Sequence, residues 1–265
     1  MRVYVNGVPL YVAVRGQGPA LTLIHGFPLS HRIYDTQFRA LSHHYRVITP
    51  DLRGFCKSAL GTDEVTMDTY ADDIAAILDE LGIEKTVLGG LSMGGYIAFA
   101  FWRRHPQRVQ ALILMNTRAA PDSEEGRQNR YRLIEQVRRE GLTPLIEGMI
   151  PKLVAPATLK GKPHVLRKLR HIMEGATVEG VIAALKAMAE RPDSRPTLET
   201  ITVPTLVIAG QADALIPVSE AEDMAMRIPD AYLYIVPQAG HLVTMERPRL
   251  TSRLIRNFMM DVLRA

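Results

Sequence analysis

Six short apolar runs recur along the chain, each closed by glycine, proline, asparagine or aspartate. They are "ALTLIHG" (20–26), "YRVITPD" (45–51), "KTVLGG" (85–90), "VQALILMN" (109–116), "PTLVIAG" (204–210) and "AYLYIVP" (231–237). Runs of this length without alternation suit strands buried on both faces. Stretches of helical period lie between them. "MDTYADDIAAILDELG" (67–82) sets Tyr70, Ile74, Ile77, Leu78 and Leu81 on one stripe, begins acidic and stops at Gly82. "SMGGYIAFAFWRRHP" (92–106) is apolar almost all round, which predicts a buried helix. The last helix is expected over 247–264, with Leu250, Leu254, Ile255, Phe258 and Val262 inward. At the start, "VYV" and "LYVAV" flank the turn "NGVP" as a hairpin. Strand, helix and strand in repetition predict an α/β fold with a mainly parallel sheet flanked by helices. The repeat breaks between about 117 and 200, where the pattern is helical. That segment reads as a helical cap inserted after the sixth strand.

Composition narrows the function. Of 265 residues, 47% are apolar, enough for a large core, and the net charge of +4 is not gathered into a basic run. This argues against nucleic acid as a partner. Cys56 is the only cysteine, so no intrachain disulfide forms. The first residues lack the charged start and apolar run of a signal peptide, and no stretch approaches eighteen apolar residues. The expectation is a soluble, cytoplasmic chain without a membrane partner.

"GGLSMGGY" (89–96) carries the chemistry. A phosphate loop needs a lysine directly after its second glycine, and a dinucleotide fingerprint needs glycines at positions one, three and six; neither fits. Gly90, Ser92 and Gly94 do match G-x-S-x-G, between a strand and an apolar helix. In such a turn the serine is held in strained backbone geometry, and glycines two residues either side relieve the crowding. Ser92 also opens a helix, whose free N–H groups face developing negative charge.

A serine hydroxyl needs a base, and the base needs an orienting acid. Asp213 follows the strand at 204–210 and His241 follows that at 231–237, so both fall on the sheet edge that carries Ser92. Asn116, after the preceding strand, is an amide and cannot be the anionic partner. The backbone N–H groups of Met93 and of Phe27, in "HGFP", are the candidate oxyanion donors. His25 fits either a loop brace or an ordinary strand-end histidine. His31, His43, His44, His105, His164 and His171 fall in helical or cap stretches and fit surface or structural roles.

"HGFPLS", "DLRGFCKS", "GGLSMGGY", "GQADALIP" and "AGHLVTMERP", in this order, resemble the α/β-hydrolase superfamily, in particular its small carboxylesterase-like members. The resemblance covers nearly the whole chain and is least specific in the cap. It implies an eight-stranded sheet, a core of residues 1–118 and 199–265 with a cap at 119–198, the triad Ser92, Asp213 and His241, an oxyanion hole from Phe27 and Met93, and no cofactor. The implied activity is hydrolysis of small carboxylic esters with short to medium acyl chains. Relatives that use an aspartate at the elbow, the haloalkane dehalogenases and epoxide hydrolases, are disfavoured by Ser92. Enol-lactone hydrolases, carbon–carbon bond hydrolases, perhydrolases and a ligand-binding receptor on the same fold remain open. Leu145, Ile146, Met149, Ile150, Val181, Leu185 and Met188 of the cap fit either helix packing or an acyl pocket. Cys56 stands where related chains often have glycine, and reads as a small hydrophobe rather than a redox group.

Overall fold

The computed structural model describes residues 1–263. Its strands are β1 (Arg2–Val5), β2 (Val8–Arg15), β3 (Ala20–Ile24), β4 (Arg46–Pro50), β5 (Thr86–Leu91), β6 (Val109–Met115), β7 (Thr205–Gly210) and β8 (Ala231–Val236). They form one sheet in the order β1-β2-β4-β3-β5-β6-β7-β8. The β1–β2 and β2–β4 pairs are antiparallel and all others parallel. β3 passes the chain to β4 on one side, whereas β5 passes it to β6 on the other. The carboxyl ends of β3 and β5 are therefore a topological switch point, where open α/β sheets bind ligands.

Burial on both faces follows from the apolar runs. Leu88 of β5 joins one apolar cluster, while Val87 and Leu91 join the other. Helices α2 (Met67–Glu80) and α3 (Met93–Arg104) pack in the first cluster, and α1 (Asp35–Leu41) and α12 (Pro248–Val262) in the second. α2 starts at a reciprocal cap between Thr66 and Thr69 and ends before Gly82, at φ 63°. Every residue of α3 from Met93 to Trp102 is buried, as its composition predicts.

Between β6 and β7 the chain forms α4 (Glu124–Glu140), α5 (Thr143–Leu153), α6 (Pro156–Gly161), α7 (Pro163–Met173), α8 (Val178–Ala189) and α9 (Arg195–Leu198). Leu145, Val181, Leu185 and Met188 are buried in the first cluster, with Met149 packed against it, and Ile146 and Ile150 are buried in the second. Helix packing thus accounts for these apolar positions. An isolated bridge, Phe55 with Ala176, ties the segment to the loop after β4. After β7 come α10 (Val218–Arg227) and, beyond β8, the single turn α11 (Val243–Glu246). Among the described residues no helix is long and apolar enough to cross a membrane.

Three expectations need correction. The hairpin turn is only Asn6–Gly7, at φ 46° and 74°; both residues supply the positive φ that a two-residue turn requires, so Val8 and Pro9 pair within β2. β8 is not buried on both faces: it is the sheet edge, and Tyr232 remains 58% exposed. The last helix spans Pro248–Val262; Ile255 and Phe258 are buried, Leu250, Leu254 and Val262 half-buried, and Arg264 lies outside the described residues.

Candidate active site

Ser92 sits between β5 and α3 with φ 57° and ψ −115°, a left-handed conformation that costs an ordinary side chain about 1–3 kcal/mol. Close packing fixes the turn. A Cβ on Gly90 would lie 2.1 Å from the Gly94 carbonyl oxygen, and one on Gly94 would lie 2.3 Å from that of Ile24. The loop after β3 comes equally near, for a Cβ on Gly26 would be 3.1 Å from the Ser92 Cβ. This brings Phe27 beside the serine turn. Among the described residues, neither the Met93 N–H nor the Phe27 N–H has a protein acceptor. Both belong to backbone that no strand partner or helix turn satisfies.

Gly94→Ala tests this packing. The new methyl would meet main-chain atoms of Ile24 and His25 that cannot rotate away. Overpacking of this kind costs about 1–3 kcal/mol, or roughly 2–12 °C in Tm for a chain of this size. Gly148→Ala is the control. It lies inside α5 with nothing within 4 Å of its Cβ, and should hold stability or raise it by about 1 kcal/mol of helix propensity. Thermal unfolding followed by circular dichroism separates the two.

His241 and Asp213 meet as expected: His241 Nδ1 and Asp213 Oδ2 are 2.8 Å apart, and both side chains are buried. The Leu215 and Ile216 N–H groups donate to Asp213 Oδ1 at 2.9 and 3.1 Å. Burial opposes ionisation of Asp213. The facing His241 and the hydrogen bonds from Asn116 and Leu215 outweigh it and hold the carboxyl below its ordinary value. An ionised Asp213 accepts from His241 Nδ1–H, which leaves Nε2 free to accept a proton. Ser92 Oγ makes no hydrogen bond to the protein among the described residues.

Sequence reasoning missed what joins the two halves of the site. β6 lies between β5 and β7, and its end grips both neighbours. Towards β5, the Ser92 N–H donates to the Met115 carbonyl at 2.9 Å, and Thr117 Oγ1 donates to the Ser92 carbonyl at 2.8 Å. Towards β7, Asn116 Nδ2 donates to Asp213 Oδ2 at 2.8 Å and to the Gly240 carbonyl at 3.3 Å. Asn116 is not the partner of His241; it donates to that partner, Asp213. Its φ of 44°, accessible to asparagine, turns its side chain into this position.

His25 proves to be a brace. Its Nε2 accepts the Leu52 N–H at 3.0 Å and its Nδ1 donates to the Gly26 carbonyl at 2.9 Å, which ties the loop after β3 to that after β4. Burial pushes its pKa down to about 4, so the ring stays neutral, as those bonds require. His31 pairs with Asp51 and His105 with Asp72, both structural roles. Cys56 adopts φ 51°, the left-handed conformation that explains glycine in related chains. Burial and the nearby Asp51 push its thiol up, away from thiolate chemistry.

Known proteins with this architecture bear on the site. A family model described as alpha/beta hydrolase fold matches residues 19–142. A thermophilic esterase from Thermogutta terrifontis is 44% identical, with 99% of each chain covered and a TM-score of 0.96. The enol-lactonase from Burkholderia xenovorans LB400 is 27% identical over 98% of this chain and 100% of its own, with a TM-score of 0.92. The AB hydrolase superfamily protein YisY from Bacillus subtilis is 30% identical over 95% of each chain. Similarity of this extent reaches from β1 to α12, and the chain belongs to the α/β-hydrolase fold family.

Proposed function

We propose that this hydrolase is a serine carboxylesterase acting on small carboxylic esters, with Ser92 as nucleophile, His241 as base and Asp213 as the orienting acid. The observation that carries the reading is the Asn116–Asp213–His241 hydrogen-bond chain, anchored to the same strand end that holds the Ser92 backbone. Identity of 44% to the Thermogutta esterase supports the ester as the bond attacked.

In this mechanism His241 Nε2 takes the Ser92 Oγ proton as Oγ bonds to the ester carbonyl carbon. The resulting oxyanion receives the N–H groups of Met93 and Phe27. When it collapses, the carbon–oxygen bond to the alcohol breaks and His241 returns its proton to the leaving oxygen. Water then repeats the sequence on the acyl-enzyme, giving the acid and free Ser92. Asp213 stays ionised and Asn116 steadies it. Helices α4–α9, residues 119–198, act as the cap that shapes the acyl site.

A second reading, ring opening of an enol-lactone, is favoured by the likeness to the Burkholderia enol-lactonase and uses the same steps. A panel of p-nitrophenyl esters from acetate to laurate, run beside an enol-lactone, discriminates the two. The expected outcome is multiple turnover on short to medium esters. Turnover of the lactone alone selects the second reading, and one slow event with ligand retained points to a binding protein.

A further inference from the structure

Glu246, at the end of α11, takes part in no step above, yet its residue is 1% exposed and both carboxylate oxygens are used. Oε1 accepts the Gly240 N–H at 2.8 Å, and Oε2 accepts the Ala155 N–H at 2.8 Å. Gly240 immediately precedes His241. Ala155 joins α5 to α6 in the helical segment, 91 residues away in the chain. The two backbones touch here: a Cβ on Gly240 would lie 2.4 Å from the Ala155 nitrogen. Lys162, between α6 and α7, adds a bond from Nζ to the Glu246 carbonyl at 2.9 Å. On the other side of the same residue, the Gly240 carbonyl receives Asn116. The residue before the histidine is thus held between the acid network and one buried carboxylate shared with the helical segment.

Burying a carboxylate is costly unless its bonds are good, and charge-assisted bonds to N–H groups are stronger than neutral ones. No lysine or arginine side chain forms an ion pair with this carboxylate among the described residues. Its charge is met by two main-chain donors, one on each body. We propose that Glu246 is a positioning residue that ties His241 to the helical segment, so that the base is in register only while the α5–α6 junction is seated. This rests on the serine-esterase reading.

Two variants cut the tie in different ways. Glu246→Gln keeps the shape but presents an NH2 to one of the two donors. Ala155→Pro removes the cap-side donor and sets its ring carbon where Oε2 lies, so it forces the carboxylate off the junction; φ −61° at Ala155 suits proline, and Val154, at φ −128° and ψ 153°, suits the residue before one. Ala155→Gly keeps the N–H and serves as control. The readouts are kcat and KM on p-nitrophenyl acetate, the second-order rate of fluorophosphonate labelling, and Tm, with rates taken well below unfolding. Both cutting variants should lose about tenfold to a hundredfold in kcat and in labelling rate, with KM within about threefold, while Ala155→Gly keeps the parent rates. Because they break one tie, the double variant should lose no more than the worse single one. A fall in Tm with parent rates in the folded variants overturns the proposal and leaves Glu246 merely structural. Absence of Ser92 labelling in the parent chain overturns the serine reading itself.

Discussion

Ser92→Ala should lower kcat on a p-nitrophenyl ester on the order of a millionfold, the scale set by removal of a serine nucleophile elsewhere. The fold should not suffer. Ser92 is held through its N–H on Met115 and its carbonyl under Thr117, and both bonds are main-chain at position 92. Alanine keeps them, and it also keeps the strained φ of 57°. Ser92→Gly removes the nucleophile and the strain together, so it should be as stable as Ser92→Ala or more so, by up to about 1–3 kcal/mol of relieved strain, and its Tm should equal or exceed that of Ser92→Ala. Parallel assays and melts check both halves. Retention of a tenth of the parent kcat in Ser92→Ala would contradict the nucleophile.

Asp213→Asn comes second, with an expected loss of about ten-thousandfold in kcat. The carboxylate accepts four donors: His241 Nδ1–H and Asn116 Nδ2 on one oxygen, and the Leu215 and Ile216 N–H groups on the other. An amide has one accepting oxygen. If it faces the backbone pair, its NH2 meets Asn116 and turns His241 Nδ1 into an acceptor, which puts the ring proton on Nε2, where the base must be free. If it faces His241, its NH2 meets two N–H groups. Either orientation leaves buried donors unsatisfied at about 1–3 kcal/mol each, so Tm falls as well. The pH dependence has a definite sign. The folded carboxyl of Asp213 is depressed, so it adds stability above the ordinary carboxyl value of about 3.9, and this is lost as pH falls through the depressed folded value. The Tm difference between parent and variant should therefore be full near neutrality and narrow in strong acid.

Much of the architecture was legible because local pattern decides it. Short apolar runs gave β3 to β7, and the pattern around Ser92 placed it at the turn between a strand and a buried helix. The misreadings have a common cause. "AYLYIVP" looks as apolar as "PTLVIAG", but a strand's place at the sheet edge depends on which neighbours it finds. Asn116 was dismissed as an acid, and only the fold shows it 97 positions from the Asp213 that it supports. Glu246 likewise finds Ala155 across 91 residues. Such partners leave no periodic trace in the sequence. The hairpin shows the reverse: "NG" carried the signal, and the two residues after it were wrongly added to the turn.

The central claim is that Ser92 is activated by His241 and Asp213 for attack on an acyl carbon. Its most direct test is fluorophosphonate labelling of the intact chain, with the modified peptide mapped by mass spectrometry. One label per chain is expected on Ser92, absent in Ser92→Ala and slowed in His241→Ala and in Asp213→Asn. A label on any other residue, or one that persists in Ser92→Ala, contradicts it.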